Sequence, residues 1–386
     1  MDFQLSFEQQ MILDYGQNLA QTYGSDYWRE KSMVQEFPQE LWRQIADDGF
    51  LGVMVAEEYG GAGLGITEMA LLIEGLSGAG LPLFMMVVGP TMVLGLLDHH
   101  GSDQLKQRYL PDGCSGEKVF CFAITEPNAG SNSMAITTLA RADGAGFLLS
   151  GQKSFITGAD VADYALVVAR TTPLKEAARK TDGFTLFMVD LKAPGVTIRP
   201  MDIPVMIPEK QCEIFFDGVK LGPEQVVGEV DCGFAILFDV LNPERIVVAA
   251  MAVGLGRYAL RQAVEYAGDR QVFGAPIGSH QGLAHPLAHS HTEVEMAALM
   301  TYKAAANFDQ GAPAGAEANM AKYFAAEAAI KAVDASLQVY GGAGFTREVG
   351  LLDLYGLVRL LRSIPVSREL LLNYIGEKVM GLPRSY

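Results

Sequence analysis

The order in which residue types follow one another constrains this chain more than any single motif. From residue 1 to about 115, apolar residues recur at helical spacing, interrupted by loops such as Glu57-Glu58-Tyr59-Gly60-Gly61-Ala62-Gly63. From about 116 to 228 the pattern changes to short apolar or β-branched runs, at 119–124, 164–169, 184–189 and 213–216, separated by Gly, Pro and Asp. Beyond that, Ala-rich segments near 235–268, 283–308 and 315–340 are long and helical, the pattern of an antiparallel bundle. The expected fold is α+β: an N-terminal helical domain (1–115), a middle β domain (116–228) and a C-terminal helical bundle (229–386). A chain of 386 residues is long enough for two or three such domains.

Composition narrows the function. With 29 Lys+Arg against 45 Asp+Glu, the net charge of -16 argues against nucleic-acid binding, for which a basic face is expected. The N-terminal Met1-Asp2-Phe3-Gln4-Leu5-Ser6-Phe7-Glu8 has early acids and no cationic stretch, so it does not read as a signal peptide. The uncharged stretch Gly75 to Leu97 is long enough to span a bilayer. Gly78, Gly80, Pro82, Gly89, Pro90 and Gly95 cut it into short pieces, and the expectation is a buried helical hairpin rather than a membrane span. Cys114, Cys121, Cys212 and Cys232 lack CxxC spacing and read as reduced thiols of a cytoplasmic protein.

Four strings carry chemistry. Phe122-Ala123-Ile124-Thr125-Glu126-Pro127-Asn128-Ala129-Gly130-Ser131-Asn132 is a strand entering a Gly-rich turn, where backbone N–H groups and small hydroxyls can approach a phosphate or flavin edge; alone it is also an ordinary β-turn. Gly151-Gln152-Lys153-Ser154-Phe155-Ile156-Thr157 places an aromatic and a hydroxyl together. Arg270-Gln271-Val272-Phe273-Gly274, with Gln281 beyond, offers a guanidinium fork suited to phosphate. Gln338-Val339-Tyr340-Gly341-Gly342-Ala343-Gly344 supplies glycines where a Cβ would hold the backbone off a ligand.

In this order, and across almost the whole chain, the strings resemble those of the FAD-dependent acyl-CoA dehydrogenases, with Asn132 where that family usually has Asp and Phe155 where it has Trp. The resemblance implies a helical N-domain, a middle β-barrel, a C-terminal four-helix domain and FAD held at a dimer interface. It implies FAD contacts from Phe122, Ile124, Thr125, Gly130, Ser131, Phe155, Thr157, Arg270, Phe273, Gln281, Gln338, Gly341, Gly342 and Ser367, those of Arg270 and Gln338 reaching a neighbouring subunit's cofactor. An acyl-CoA or acyl-carrier-protein substrate, an electron-transferring flavoprotein as partner and a homotetramer built as a dimer of dimers are implied in the same way. By the same resemblance, substrate contacts are expected from Ser131, Asn242 and Arg245.

The family removes a proton beside a thioester carbonyl while a hydride leaves the β-carbon, which needs a carboxylate and donors for the enolate oxygen. Many members carry a Glu-Gly-Thr about twenty residues after the glycine string; here Ile364-Pro365-Val366-Ser367 stands instead, with Pro365 at the Glu position. Proline also lacks the N–H that serves there as an oxyanion donor. In other branches a Glu directly before a helical Arg is the base. Leu241-Asn242-Pro243-Glu244-Arg245, read as the start of the first helix of the C-terminal domain, puts Glu244 in that role, with Glu369 as a further candidate. A Glu at a helix start is also favoured by the dipole alone. The leading expectation is α,β-dehydrogenation of a saturated acyl thioester to the trans-2-enoyl form. The alternatives are an enoyl-CoA reductase or other flavin chemistry on the same fold, and a flavin-binding, non-catalytic partner subunit.

Overall fold

The computed structural model describes residues 4–384. The first three residues of the N-terminal segment discussed above therefore lie outside the described residues. Six helices come first: α1 (Phe7–Asn18), α2 (Ser25–Val34), α3 (Gln39–Asp47), α4 (Ile66–Gly78), α5 (Gly95–His100) and α6 (Asp103–Cys114). α1 starts at a capping box in which the Ser6 hydroxyl accepts from the Gln9 N–H and the Gln9 side chain accepts from the Ser6 N–H. α3 turns Leu41, Trp42, Ile45 and Ala46 inward, the i, i+1, i+4, i+5 stripe of an amphipathic helix.

The uncharged stretch from Gly75 is a buried hairpin. α4 ends at Gly78, the chain reverses through Gly80, and a π-wound segment, Val87–Leu94, leads directly into α5. Among the described residues no helix is long and apolar enough to cross a membrane.

Eight strands follow: β1 (Phe120–Ala123), β2 (Leu139–Asp143), β3 (Gly146–Thr157), β4 (Tyr164–Arg170), β5 (Phe184–Asp190), β6 (Val196–Pro200), β7 (Gln211–Leu221) and β8 (Val226–Val227). They form one sheet in the order β6-β7-β3-β2-β4-β5-β8, with β1 lying parallel against β4. β4 and β5 are buried along nearly their full length, which explains their unbroken apolar sequence.

The C-terminal part is built on α7 (Gly233–Asp269), followed by a small hairpin of β9 (Gln271–Val272) and β10 (Ala275–Pro276), then α8 (Gln281–Asp309), α9 (Gly315–Tyr340), α10 (Leu351–Leu361) and α11 (Arg368–Tyr374). α7 crosses α4 so closely that a Cβ on Gly254 would lie 2.4 Å from the Glu74 carbonyl oxygen, so only glycine fits. One expectation is corrected here. Asn242 to Arg245 are not at a helix start: α7 begins at Gly233, so Glu244 lies about three turns inside the helix. The N-terminal dipole, which fades within the first turn, does not account for an acid at that depth.

Candidate active site

Two of the strings converge on one ledge. The Lys153 ammonium donates to the Ile124 carbonyl (2.9 Å), and the Ser154 N–H donates to the Thr125 carbonyl (2.9 Å). Glu126 closes the corner: its carboxylate accepts from Lys153 Nζ (2.9 Å), from the Thr137 N–H (2.7 Å) and hydroxyl (2.9 Å), and from the Thr138 N–H (2.9 Å). The Lys153 and Glu126 side chains are only 0% and 4% exposed, so each charge depends on the other. Burial opposes the charge of Glu126, but Lys153 and the two threonines outweigh it and hold the carboxyl below the usual carboxylate range. Burial pushes the Lys153 ammonium down to about 8 against the pull of Glu126.

Phe155 stands out from this ledge. The β3–β7 register slips between Lys153 and Ile156, a bulge that leaves Phe155 at φ 58 and 56% exposed. A bulky residue at positive φ is strained, and bulges re-aim side chains beside functional sites. Thr157, half-buried two residues on, exchanges hydrogen bonds with the Gln211 side chain at 3.2 and 3.1 Å. Gly130 and Ser131 lie exposed on the loop after Glu126. Ile124 and Thr125 are half-buried on the ledge, whereas Phe122 is buried in the core.

A second cluster sits at the far end of α7. Arg270, Phe273, Tyr340 and Gly341 line a cavity of about 370 Å³. Phe273 is 95% exposed at φ 55. Arg270 forms no ion pair among the described residues. Gly341, at φ 57, and Gly342 face open space where a Cβ would stand. Gln281 opens α8 and Gln338 lies in the last turn of α9, both exposed. Among the described residues no hydrogen bond joins this cluster to the Phe155 ledge.

The third cluster holds the acid. Glu244 is half-buried and has no hydrogen-bond or ion-pair partner among the described residues. Burial pushes its carboxyl up to about 7, although Arg245 and Lys322 pull the other way. Arg245 donates from Nη1 to Asn242 Oδ1 (3.0 Å), while its Nε is buried without a partner. Pro365 follows Ile364 through a cis bond, and Val366 carries the first N–H beyond it, with no backbone acceptor among the described residues. Ser367 caps α11, its hydroxyl accepting from the Leu370 N–H (3.4 Å). Glu369 does not resemble a base: it is exposed, accepts from Arg368 Nε (3.1 Å), and its carboxyl is held low by a backbone N–H and by that guanidinium.

Sequence reasoning missed Lys322, whose Nζ donates to the Val366 carbonyl at 2.7 Å with the residue only 1% exposed. A signal was present: Lys322 stands on the same stripe of α9 as Ala318, Ala325 and Ala329, an apolar face where a solvated lysine is out of place. The Glu126–Lys153 pair lay within two of the strings, but nothing local showed that the strings touch. Of the cysteines, Cys114, Cys121 and Cys212 are buried free thiols and Cys232 is exposed.

The chain belongs to the acyl-CoA dehydrogenase family of flavoprotein oxidoreductases: residues 6–117 match its N-terminal domain, 121–219 its middle domain and 231–380 its C-terminal domain. It is 46% identical over 366 residues to the acyl-CoA dehydrogenase FadE12 of Mycobacterium tuberculosis, covering 94% of each chain. Against a 3-(aryl)acrylate reductase of Clostridium sporogenes it is 38% identical over 336 residues, 86% of this chain and 88% of that one. Its fold matches the solved FAD complex of PigA with a TM-score of 0.93 at 28% identity, over 99% of this chain and 100% of that one.

Proposed function

We propose that the protein is an FAD-dependent acyl-CoA dehydrogenase, oxidising a saturated acyl thioester to its trans-2-enoyl form with Glu244 as the base. The observation that carries this reading is a carboxyl on α7 without a partner among the described residues, pushed up to about 7 and acted on by the same Lys322 that binds the Val366 carbonyl, next to Pro365 in the chain. A general base serves best when its pKa lies near the working pH.

The residues present fit FAD. Arg270 is a guanidinium without an ion pair among the described residues, suited to the pyrophosphate, Gly341 and Gly342 leave room for close backbone approach, and Phe155 and Thr157 frame an exposed aromatic ledge. FAD, when bound, supplies the acceptor for the β-hydride. The chain's own task is the proton. Glu244 takes it from the carbon beside the thioester carbonyl, and Arg245 lends the carboxylate positive charge. Asn242 holds Arg245, and Ser131 would contact flavin and substrate. Since Pro365 cannot donate to the carbonyl oxygen, the free Val366 N–H is the nearest replacement along the chain.

Phe273 is 95% exposed, and among the described residues the Arg270 cluster shares no hydrogen bond with the Phe155 ledge. Both support a homo-oligomer, a dimer of dimers, in which each subunit completes its neighbour's FAD site. The cofactor is then one FAD per chain, the substrate an acyl-CoA or acyl-carrier-protein thioester, and the electron acceptor an electron-transferring flavoprotein in the cytoplasm. Arg270→Ala should weaken FAD retention about 10–100-fold, the loss of one charge-assisted hydrogen-bond pair, with the apoprotein melting unchanged. Equal FAD affinity in fluorescence titrations of the two proteins would count against the assignment.

The pH dependence follows from Glu244. The base must be ionised to act, so anaerobic flavin reduction should fall about tenfold per unit below about 7 and level off above it. A rate flat from pH 5 to 9, on the order of two units to either side, would contradict the role. A second reading, reduction of an unsaturated thioester or acrylate, is favoured by the similarity to the 3-(aryl)acrylate reductase. In that direction the same carboxyl, protonated, returns the proton to the α-carbon.

A further inference from the structure

The buried ammonium of Lys322 has no role in the chemistry described so far. Its neighbours on the packed face of α9 are Ala318, Ala321, Ala325 and Ala326, all buried, and an ammonium in such surroundings needs compensation. It has three N–H donors, and the acceptor it meets among the described residues is the Val366 carbonyl at 2.7 Å. The charged groups that act on it come from three helices: Glu244 and Arg245 from α7, Glu327 from α9 itself, and Glu369 from α11. Two of the three acids are already engaged. Glu327 accepts from Arg362 Nη2 (2.5 Å) and lies 3.9 Å from Arg368, and Glu369 accepts from Arg368 Nε (3.1 Å). Arg245, the other cation near Glu244, is tied to Asn242. Among the described residues Glu244 is the one acid of the set without a partner.

We propose that Lys322 is a positioning residue of the active site, clamping the Pro365–Val366 segment by its carbonyl and serving as the buried counter-charge that keeps Glu244 ionisable once substrate covers the cleft. This rests on the reading of Glu244 as base. Lys322 is too deeply buried to touch substrate, so it acts through its neighbours. Its place fits a site that has lost both the usual acid and the usual N–H at position 365: the cation secures the segment that remains and supports the acid that replaces the missing one. In agreement, Glu244 is among the charges that hold the Lys322 ammonium up against burial, and Lys322 is among those that hold the Glu244 carboxyl down.

The test is anaerobic flavin reduction by a saturated acyl-CoA as a function of pH, on the FAD-loaded parent and on Lys322→Gln, Lys322→Arg and Glu244→Gln. Lys322→Gln keeps a donor for Val366 but removes the charge. Without the cation the carboxylate is less favoured, so the midpoint of the acid limb should rise by about one unit or more. Lys322→Arg should return the midpoint towards the parent value, a rescue that loss of packing alone would not predict. A Lys322→Gln protein with the parent midpoint, alongside a Glu244→Gln protein that no longer reduces its flavin, overturns the proposal and leaves the base in place. If Glu244→Gln reduces its flavin like the parent, the base reading fails, and the role given to Lys322 fails with it.

Discussion

Glutamine at position 244 should leave the protein yellow and able to bind acyl-CoA, yet slow reduction of the flavin by about 10²–10⁴-fold, the usual contribution of a general base. The substitution keeps size and polarity and removes only the capacity to take a proton. Glu244 makes no hydrogen bond or ion pair among the described residues, so the change breaks no direct contact, while it takes from the buried Lys322 ammonium a nearby counter-charge. An unpaired carboxyl that burial already disfavours is a liability to the fold, tolerated where chemistry needs it. The measurement is stopped-flow absorbance of the flavin under saturating acyl-CoA, with FAD content determined beforehand. A variant that reduces its flavin at the parent rate would remove Glu244 from the mechanism, and Glu369, exposed and held by Arg368, offers no ready substitute.

Lys153→Met should destabilise the protein by about 3–5 kcal/mol, because it leaves the Glu126 carboxylate buried without its cation. The Lys153 side chain is 0% exposed, so water cannot take over the role. Beyond stability, the change frees the Ile124 carbonyl and the corner that Glu126 fastens to Thr137 and Thr138, so FAD affinity should fall as well. Removing both charges, with Glu126→Gln added to Lys153→Met, should cost less than the two single changes summed. Thermal melting of the apo and FAD-loaded forms reads both effects. A Lys153→Met protein that melts with the parent would show that the pair carries no weight in the fold.

The legible parts of the fold share a physical cause. α7, α8 and α9 were readable because long Ala-rich segments form helices and pack tightly, β1, β4 and β5 because continuous apolar runs fill a sheet interior, and β7 by its short apolar stretch at 214–216. β3 escaped notice because Gly151, a buried Lys153 and the bulge at Phe155 break the alternation that marks a strand. β6, largely open to solvent, offers Val196-Thr197-Ile198-Arg199-Pro200 with too little apolar signal to stand out. Leu241 to Arg245 read as a helix start because Pro243 imitates a proline at the first helical position, although the helical segment from near 235 already runs past it; in α7, Pro243 sits in the interior.

The candidate site was legible where chemistry follows residue type along the chain and hidden where it depends on tertiary approach. Glu244 stood out once Pro365 was seen in place of an acid. Lys322 did not, because a lysine in an alanine helix reads as a solvated side chain until the Val366 carbonyl is found 2.7 Å from its ammonium. The partner of Lys153 was equally hidden, since Glu126 lies in a different string and reaches it only through the pairing of β1 with the sheet.

Anaerobic mixing of the purified flavoprotein with saturated acyl-CoAs of different length and branching tests the proposed dehydrogenation most directly. At least one thioester should bleach the flavin and yield an equal amount of trans-2-enoyl thioester. An FAD-loaded protein that no saturated thioester bleaches, but whose reduced form is reoxidised by an enoyl thioester or acrylate, would contradict the dehydrogenase and establish the reductase in its place.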